Sequence, residues 1–364
     1  MIIEIDRKEL SEVRVSDPEP QPLVDGRVRM RVDRFALTSN NVTYAVFGDA
    51  MQYWSFFPAE DPDTWGRIPV WGFGEVIEST SDACKVGERF YGYYPMASEF
   101  VIEPGRSDTQ GVTDLAPHRA PMAGAYNRYV RCATDPVYRS DREEQQMLLY
   151  PLFFTSFLID DLLADNGDFD ARQVIVSSAS SKTAIGVAFL ANRRGAHVVG
   201  LTSARNHAFV EGLGVYDRVL DYEDVAEIES VPGVYVDIAG DRDLLHAVHT
   251  GSAELLRYSM TVGATHWDHE TEVTTPDLPG PAPAFFFAPA QITKRNDDWG
   301  PGELARRMAA AWADYSTWTD GWLELRGAAG APAVIEAYEE LLHGAADPRT
   351  GFIGSLVSAT SGDA

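Results

Sequence analysis

Residues 173–205 constrain the fold of this chain more than any other stretch. An apolar run at 174–177 leads into the short polar loop Ser177-Ser-Ala-Ser-Ser-Lys182. An amphipathic segment follows to Arg194 and stops at Gly195, and a second apolar run, 197–202, ends in the polar tip Thr202-Ser-Ala-Arg205. Strand, tight loop, helix 183–194 and parallel strand in that order predict a βαβ unit. Such a unit can hold a dinucleotide phosphate at its helix N-terminus. The glycines usual in that loop are missing, so the neighbouring segments must carry part of the argument.

Those neighbours continue the alternation. Strands are expected at 218–220, 233–237 and 257–263, with helices at 206–214 and 244–256 between them. This spacing predicts an α/β domain, a doubly wound parallel sheet covered on both faces, with its ligand at the carboxyl edge of the strands. Before it, residues 1–135 carry short alternating segments (28–35, 74–78, 87–91, 98–102) and little helical period, which predicts a compact barrel. Segment 105–123, punctuated by Gly111, Pro117 and Pro121, reads as an excursion loop. A helix is expected from Gln145 to Leu163 with Pro151 inside it. After residue 300 come helices at 301–312 and 334–344 and a last strand at 351–357.

The chain has 364 residues, enough for two domains. Its net charge of −25 argues against a nucleic-acid backbone or an anionic membrane as partner. Any phosphate site must then be built locally, and one of the four lysines, Lys182, falls inside the serine loop. Two cysteines, Cys84 and Cys132, cannot form a disulfide framework or a cysteine-rich zinc site. The N-terminus lacks a signal-peptide pattern, and no apolar run approaches the ~20 residues of a spanning helix. A reducing cytoplasm is the expected compartment.

The loop admits two readings. In one, Ser178, Ser180, Ser181 and Thr183 supply small side chains and hydroxyl donors around a pyrophosphate, Lys182 neutralises it, and Ala184 lets the helix pack closely. In the other, the serines form a plain turn with Ser181 capping the helix. The tip of the second strand bears on the cofactor: it has no acid for a ribose 2′-hydroxyl, whereas Ser203 and Arg205 suit a 2′-phosphate and Tyr222 stands near enough to close over it. This favours NADP(H) over NAD. The alternative makes Arg205 an exposed residue at a helix start.

Together these segments resemble the medium-chain dehydrogenase/reductase superfamily, and within it the zinc-free quinone-oxidoreductase-like branch. The early segment 35–48 is similar to that family's stretch with its Asn and Tyr. Segments 70–78 and 85–90 match its "G-x-G-x-V … K-V-G-D-R-V" strand pair, and 124–130 is similar to "G-x-Y-A-E-Y-V". Asp237-Ile-Ala-Gly240 and Val262-Gly-Ala-Thr265 fit the two strand ends that face the cofactor. The resemblance points to an offshoot defined as a domain of unknown function, with 285–295 as a segment peculiar to it.

The resemblance implies a GroES-like β-barrel catalytic domain, residues 1–135 completed by 300–364, and a Rossmann dinucleotide-binding domain, residues 136–299. It implies hydride transfer from NADPH to an activated C=C or carbonyl of an enone, quinone or enoyl-type small molecule. Ala239, Gly240, Gly263, Thr265 and Thr155 would face the cofactor. Asn41 would orient substrate or ribose, and Tyr44 would donate a hydrogen bond or proton, unless Tyr44 is an ordinary packed aromatic. No metal is expected: the Asn40 segment has no Cys, and Val70-Trp71 stands where zinc members carry His-Glu. A homodimer would be in keeping with the superfamily.

The aromatics Tyr44, Phe47, Tyr53, Trp54, Phe56, Phe57, Tyr91, Tyr93 and Tyr94 either line an apolar pocket or form barrel core and a dimer contact. Lys294 and Arg295 read as a solvated pair or as contacts to an acidic substrate. Two further functions remain open: a non-enzymatic NADPH-binding sensor or partner protein, and a non-redox lyase or isomerase using the same cleft.

Overall fold

The structure, a computed structural model, describes residues 1–19, 21–122, 124–262, 278–300 and 302–357. It comprises two compact units, Met1–Leu148 with Leu323–Ala364, and Leu149–Trp322.

The first unit is built on antiparallel strands: β3 (Val28–Leu37), β5 (Pro69–Ser79), β6 (Arg89–Pro95), β7 (Glu99–Ile102), β8 (Pro104–Asp108), β9 (Gly111–Asp114) and β10 (Arg128–Arg131). The chain's end adds β17 (Glu324–Ala329) and β18 (Thr350–Ser355), a parallel pair linked by helix α9 (Ala331–Leu342). The order is β17-β18-β3-β5-β6-β10-β9-β8, with β7 also on β3. Strands β1 (Ile2–Asp6), β2 (Val13–Ser16) and β4 (Trp65–Gly66) form a small second sheet, and helices α1 (Ser39–Val46) and α2 (Gly124–Asn127) complete the unit.

Alternation explains β3. Val28, Met30 and Val32 are fully buried in the core, whereas Arg29 and Arg31 point the other way. Arg29 bonds Glu78 and Arg31 bonds Glu75, each at 3.0 Å and each its register partner on β5. A one-residue slip would exchange the two faces.

The second unit holds the parallel sheet: β11 (Gln173–Val176), β12 (Val198–Thr202), β13 (Arg218–Asp221), β14 (Gly233–Asp237), β15 (Leu256–Thr261) and β16 (Ala284–Phe285). Its order is β13-β12-β11-β14-β15-β16, every pair parallel. Helices α4 (Lys182–Arg193), α5 (His207–Gly212) and α6 (Arg242–Ser252) fall between the strands, followed by α7 (Ala288–Trp299) and α8 (Glu303–Trp318). Chain order 3-2-1-4-5-6 is that of the dinucleotide-binding doubly wound sheet, whose switch point lies at the first strand.

The structure departs from the sequence reading in four places. Residues 104–114 form a hairpin of the barrel sheet, not an excursion loop. Its turn is closed by Asp108 Oδ1, which accepts from Gln110 and Gly111 N–H, while exposed β8 lacks the apolar alternation that would reveal a strand. Helix α3 (Glu143–Asp165) is long and apolar enough by composition to cross a membrane. In this fold it buries Phe153, Leu158, Ile159 and Leu163 in protein instead.

Residues 300–322 pack with the second unit, because Tyr315 of α8 stacks on Phe153 at 4.3 Å and meets Phe189 edge-on at 5.2 Å. The chain thus rejoins the first unit at Leu323, and 136–148 group there too, anchored by Glu143 on Arg34 and Arg89. Lys294 and Arg295 lie on helix α7 and not in a loop, with Lys294 exposed and Arg295 buried. Lys294 Nζ is 2.7 Å from Asp165, and buried Arg295 reaches Asp161 at 2.6 Å.

Candidate functional site

In the second unit the serine loop opens where β11 ends, next to the switch from β12 to β14. Buried Ser177 ties the loop to β14: its Oγ donates to Asp237 Oδ1 at 2.8 Å and accepts from Ile238 and Ala239 N–H at 2.9 and 3.0 Å. Asp237 Oδ1 also accepts from Gly240 N–H and the Tyr235 hydroxyl. Burial pushes the Asp237 carboxyl above its ordinary range, and these donors restrain the rise.

Ser178 adopts φ +52°, the left-handed conformation that favours glycine, and so turns the chain where the usual loop has glycine. The Tyr222 phenol bonds Ser178, so it closes on the loop itself. Ser180 Oγ accepts from Asn206 Nδ2 at 3.0 Å, joining the loop to the segment after β12. Ser181 caps α4: its backbone is extended and its Oγ accepts the Ala184 N–H. The first turn of any helix presents several N–H groups that its own backbone does not take up. Capping and anion binding are therefore compatible in this loop, since the cap uses only one donor of the first turn.

Helix α4 sits close to α3 because residue 186 is glycine; a Cβ there would come within 2.5 Å of Ser156 Oγ. Ser156, which the sequence reading passed over, donates to the Thr183 carbonyl at 2.8 Å and fixes the first turn of α4. Its neighbour Thr155 is half-buried on α3.

At the tip of β12, Ser203 is half-buried and Arg205 exposed. The tip has no acid of its own, yet Asp221 pairs with Thr202 across β12 and β13. His207 Nδ1 is 2.7 Å from Asp221 Oδ1. Nothing local in the sequence reveals this carboxylate, because the contact joins residues 14 apart. Ala239 and Gly240 (φ +64°) follow β14 directly. Gly263 and Thr265 lie outside the described residues.

Asn41 and Tyr44 belong to the first unit, on α1. Asn41 is 3% exposed and its amide is occupied at both ends: Oδ1 accepts from Thr38 N–H at 2.7 Å and Nδ2 donates to the Pro69 carbonyl at 2.9 Å. It closes the N-terminus of α1 and pins it to β5. Tyr44 is buried, accepts a 2.7 Å bond from Asn40 Nδ2, and packs on Tyr53 and Tyr93 with centroids 4.4 and 5.9 Å away. Burial raises its phenol well above the ordinary range, so it stays protonated.

The surrounding aromatics form one packed cluster of the barrel core: Tyr53, Trp54, Phe56, Phe57, Tyr91, Tyr93 and Tyr94 are all buried. A cavity of about 250 Å³ opens in this unit, lined in part by Arg7, Asp49, Gln52, Trp65 and His118; of the expected aromatics it touches Trp54, and it touches neither Asn41 nor Tyr44. Among the described residues, no three His, Cys, Asp or Glu side chains are grouped to hold a metal ion.

A GroES-like β-barrel and a Rossmann sheet in one chain define the medium-chain dehydrogenase/reductase fold. Known structures share it. CurA from Vibrio vulnificus, in complex with NADPH, is 13% identical with a TM-score of 0.58, covering 95% of this chain and 94% of that one. The quinone oxidoreductase from Coxiella burnetii is 14% identical with a TM-score of 0.56, covering 98% and 99%. The JamJ enoyl reductase, in its apo form, is 12% identical with a TM-score of 0.56, covering 94% and 95%. No curated protein matches the sequence. The chain belongs to the family described as "Protein of unknown function (DUF2855)", which matches residues 35–347.

Proposed function

We propose that the protein is a zinc-independent, NADPH-dependent reductase that delivers hydride to the activated C=C or carbonyl of an enone, quinone or enoyl-type small molecule. The observation that carries this reading is the serine loop at the switch point of a 3-2-1-4-5-6 sheet, beside a strand tip without an acid of its own. Fold-level likeness to an NADPH complex, a quinone oxidoreductase and an enoyl reductase supports it.

Ser178, Ser180, Ser181, Lys182 and Thr183 would hold the pyrophosphate, with Ser203 and Arg205 on the 2′-phosphate. Tyr222 would brace the loop, and Thr155, Ala239, Gly240, Gly263 and Thr265 would border the nicotinamide half. NADPH supplies the hydride. Tyr44, kept protonated by burial, hydrogen-bonds the acceptor oxygen, and Asn41 acts through α1 as a positioning residue.

The test is a fluorescence titration with NADPH and NADH, beside Arg205→Ala. NADPH should bind in preference to NADH, and Arg205→Ala should weaken NADPH by about 1.5–3 kcal/mol, the worth of a charged hydrogen bond. NADPH oxidation with an enone and quinone panel should survive a metal chelator. Binding of neither nucleotide would end the reading. The alternative, an NADPH binder without chemistry, draws on the occupied Asn41 amide and predicts no single-turnover hydride transfer.

A further inference from the structure

Two hydrogen-bond donors stand without acceptors in the first unit's aromatic cluster. Trp71 on β5 and Tyr93 on β6 are register partners, so both side chains leave the same face of the sheet, with ring centroids 5.0 Å apart. The Trp71 Nε1–H and the Tyr93 hydroxyl are both buried and have no hydrogen-bond partner among the described residues. Tyr93 is 0% exposed. Both side chains lie close enough to Tyr44 to favour its ionised form, although neither attains hydrogen-bond geometry to it. Buried polar groups are almost always satisfied, so two orphans side by side, beside a third hydroxyl, require an explanation.

We propose that Trp71 Nε1–H, Tyr93 Oη–H and Tyr44 Oη–H form a donor pocket for the carbonyl oxygen of the substrate. The indole N–H only donates, so the atom it meets must be an acceptor. No carboxylate or cation belongs to this trio, which suits an oxygen that is neutral on arrival and anionic in the transition state. The indole ring of Trp71 and the ring of Tyr126, with centroids 6.0 Å apart, are only half-buried, so the trio lies beside the less buried edge of the cluster.

For an enone, hydride received at the β-carbon moves the C=C pair through the conjugated system onto the carbonyl oxygen. The three donors hold that enolate oxygen, and water later returns a proton to the α-carbon. The assignment rests on the reductase reading and names the part of the substrate that the first unit recognises.

The test uses the full-length protein and 4-nitrophenolate, a planar conjugated oxyanion, followed by its absorption. Wild type should bind it and should lower the pH at which the bound phenol ionises. Tyr93→Phe and Trp71→Phe should each weaken binding at least ten-fold. Tyr93→Phe should leave the melting temperature unchanged or higher, because it removes an unsatisfied hydroxyl; a merely structural tyrosine would lower it. Absence of phenolate binding by wild type, or wild-type affinity in both variants, overturns the pocket. NADPH titration of the same samples separates the two claims. NADPH binding without phenolate binding refutes the pocket alone, whereas phenolate binding without NADPH binding refutes the reductase and leaves an oxyanion site.

Discussion

Ser177 and Asp237 meet across the parallel sheet, Oγ to Oδ1 at 2.8 Å, and this single bond couples the loop after β11 to the turn after β14. Both side chains are buried, and Ser177 Oγ also accepts two backbone N–H groups from that turn. Ser177→Ala leaves the two N–H groups unmatched and takes from Asp237 Oδ1 one of its three donors. We expect a loss of about 1–3 kcal/mol, read as a lower urea midpoint, with the m-value unchanged. A midpoint equal to wild type would show that water replaces the hydroxyl without cost.

Glu143 sits between Arg34 and Arg89 and accepts from the Tyr138 hydroxyl. Burial opposes its ionisation, but these partners prevail and hold its pKa below the ordinary range. A folded value below the unfolded one contributes stability that is fully present above the unfolded pKa of about 4.3 and is lost as pH falls through the folded value. Glu143→Gln should therefore destabilise at neutral pH and flatten the acid limb of stability against pH. Parallel acid limbs for the two proteins would refute the assignment.

Arg119 is wholly buried, yet its guanidinium finds Asn127 Oδ1 and the Tyr129 hydroxyl at 2.9 Å and Asp114 at 3.5 Å. Replacing it by Met leaves Asp114 as an unpaired buried acid, at a cost of about 3–5 kcal/mol. Adding Asp114→Asn should recover part of that loss in a double-mutant cycle. Strict additivity would mean that the pair does not interact.

Cys84 and Cys132 are buried, and burial pushes their thiols up to about 11 and about 12. Thiolate is the reactive form, so iodoacetamide at pH 8 should modify neither in the native protein and both in denaturant. A fast mass shift of the native protein would contradict this.

Asp221 places a carboxylate beside the tip of β12, answered by His207. Under the NADPH reading, Asp221→Asn should tighten NADPH a few-fold at low salt and have less effect at high salt. NADH affinity should change less. An unchanged NADPH affinity would place the 2′-phosphate away from this strand pair.

Local sequence determined much of the second unit. The run 174–177, the serine loop, the helix ended by Gly195 and the strand to Thr202 each follow from short-range propensity and period, so the central βαβ unit was legible. The cap by Ser181 was legible for the same reason, since it needs only residues three apart. What escaped were features made by partners distant in sequence: the Asp221 carboxylate beside the tip, Ser156 under α4, and the Ser177–Asp237 bond across 60 residues. The hairpin at 104–114 escaped because backbone pairing, not side-chain alternation, holds its exposed edge.

The sequence by itself thus determined the alternation of strands and helices over 173–262 and the residue types at the loop and the tip, because these depend on neighbours within one turn or one strand. Only the tertiary structure decided which polar groups are already satisfied. Asn41 is taken up by a helix start and a distant carbonyl, whereas Trp71 and Tyr93 are brought side by side with donors unmet. Satisfaction of a buried polar group depends on register and packing across strands, which no local pattern encodes.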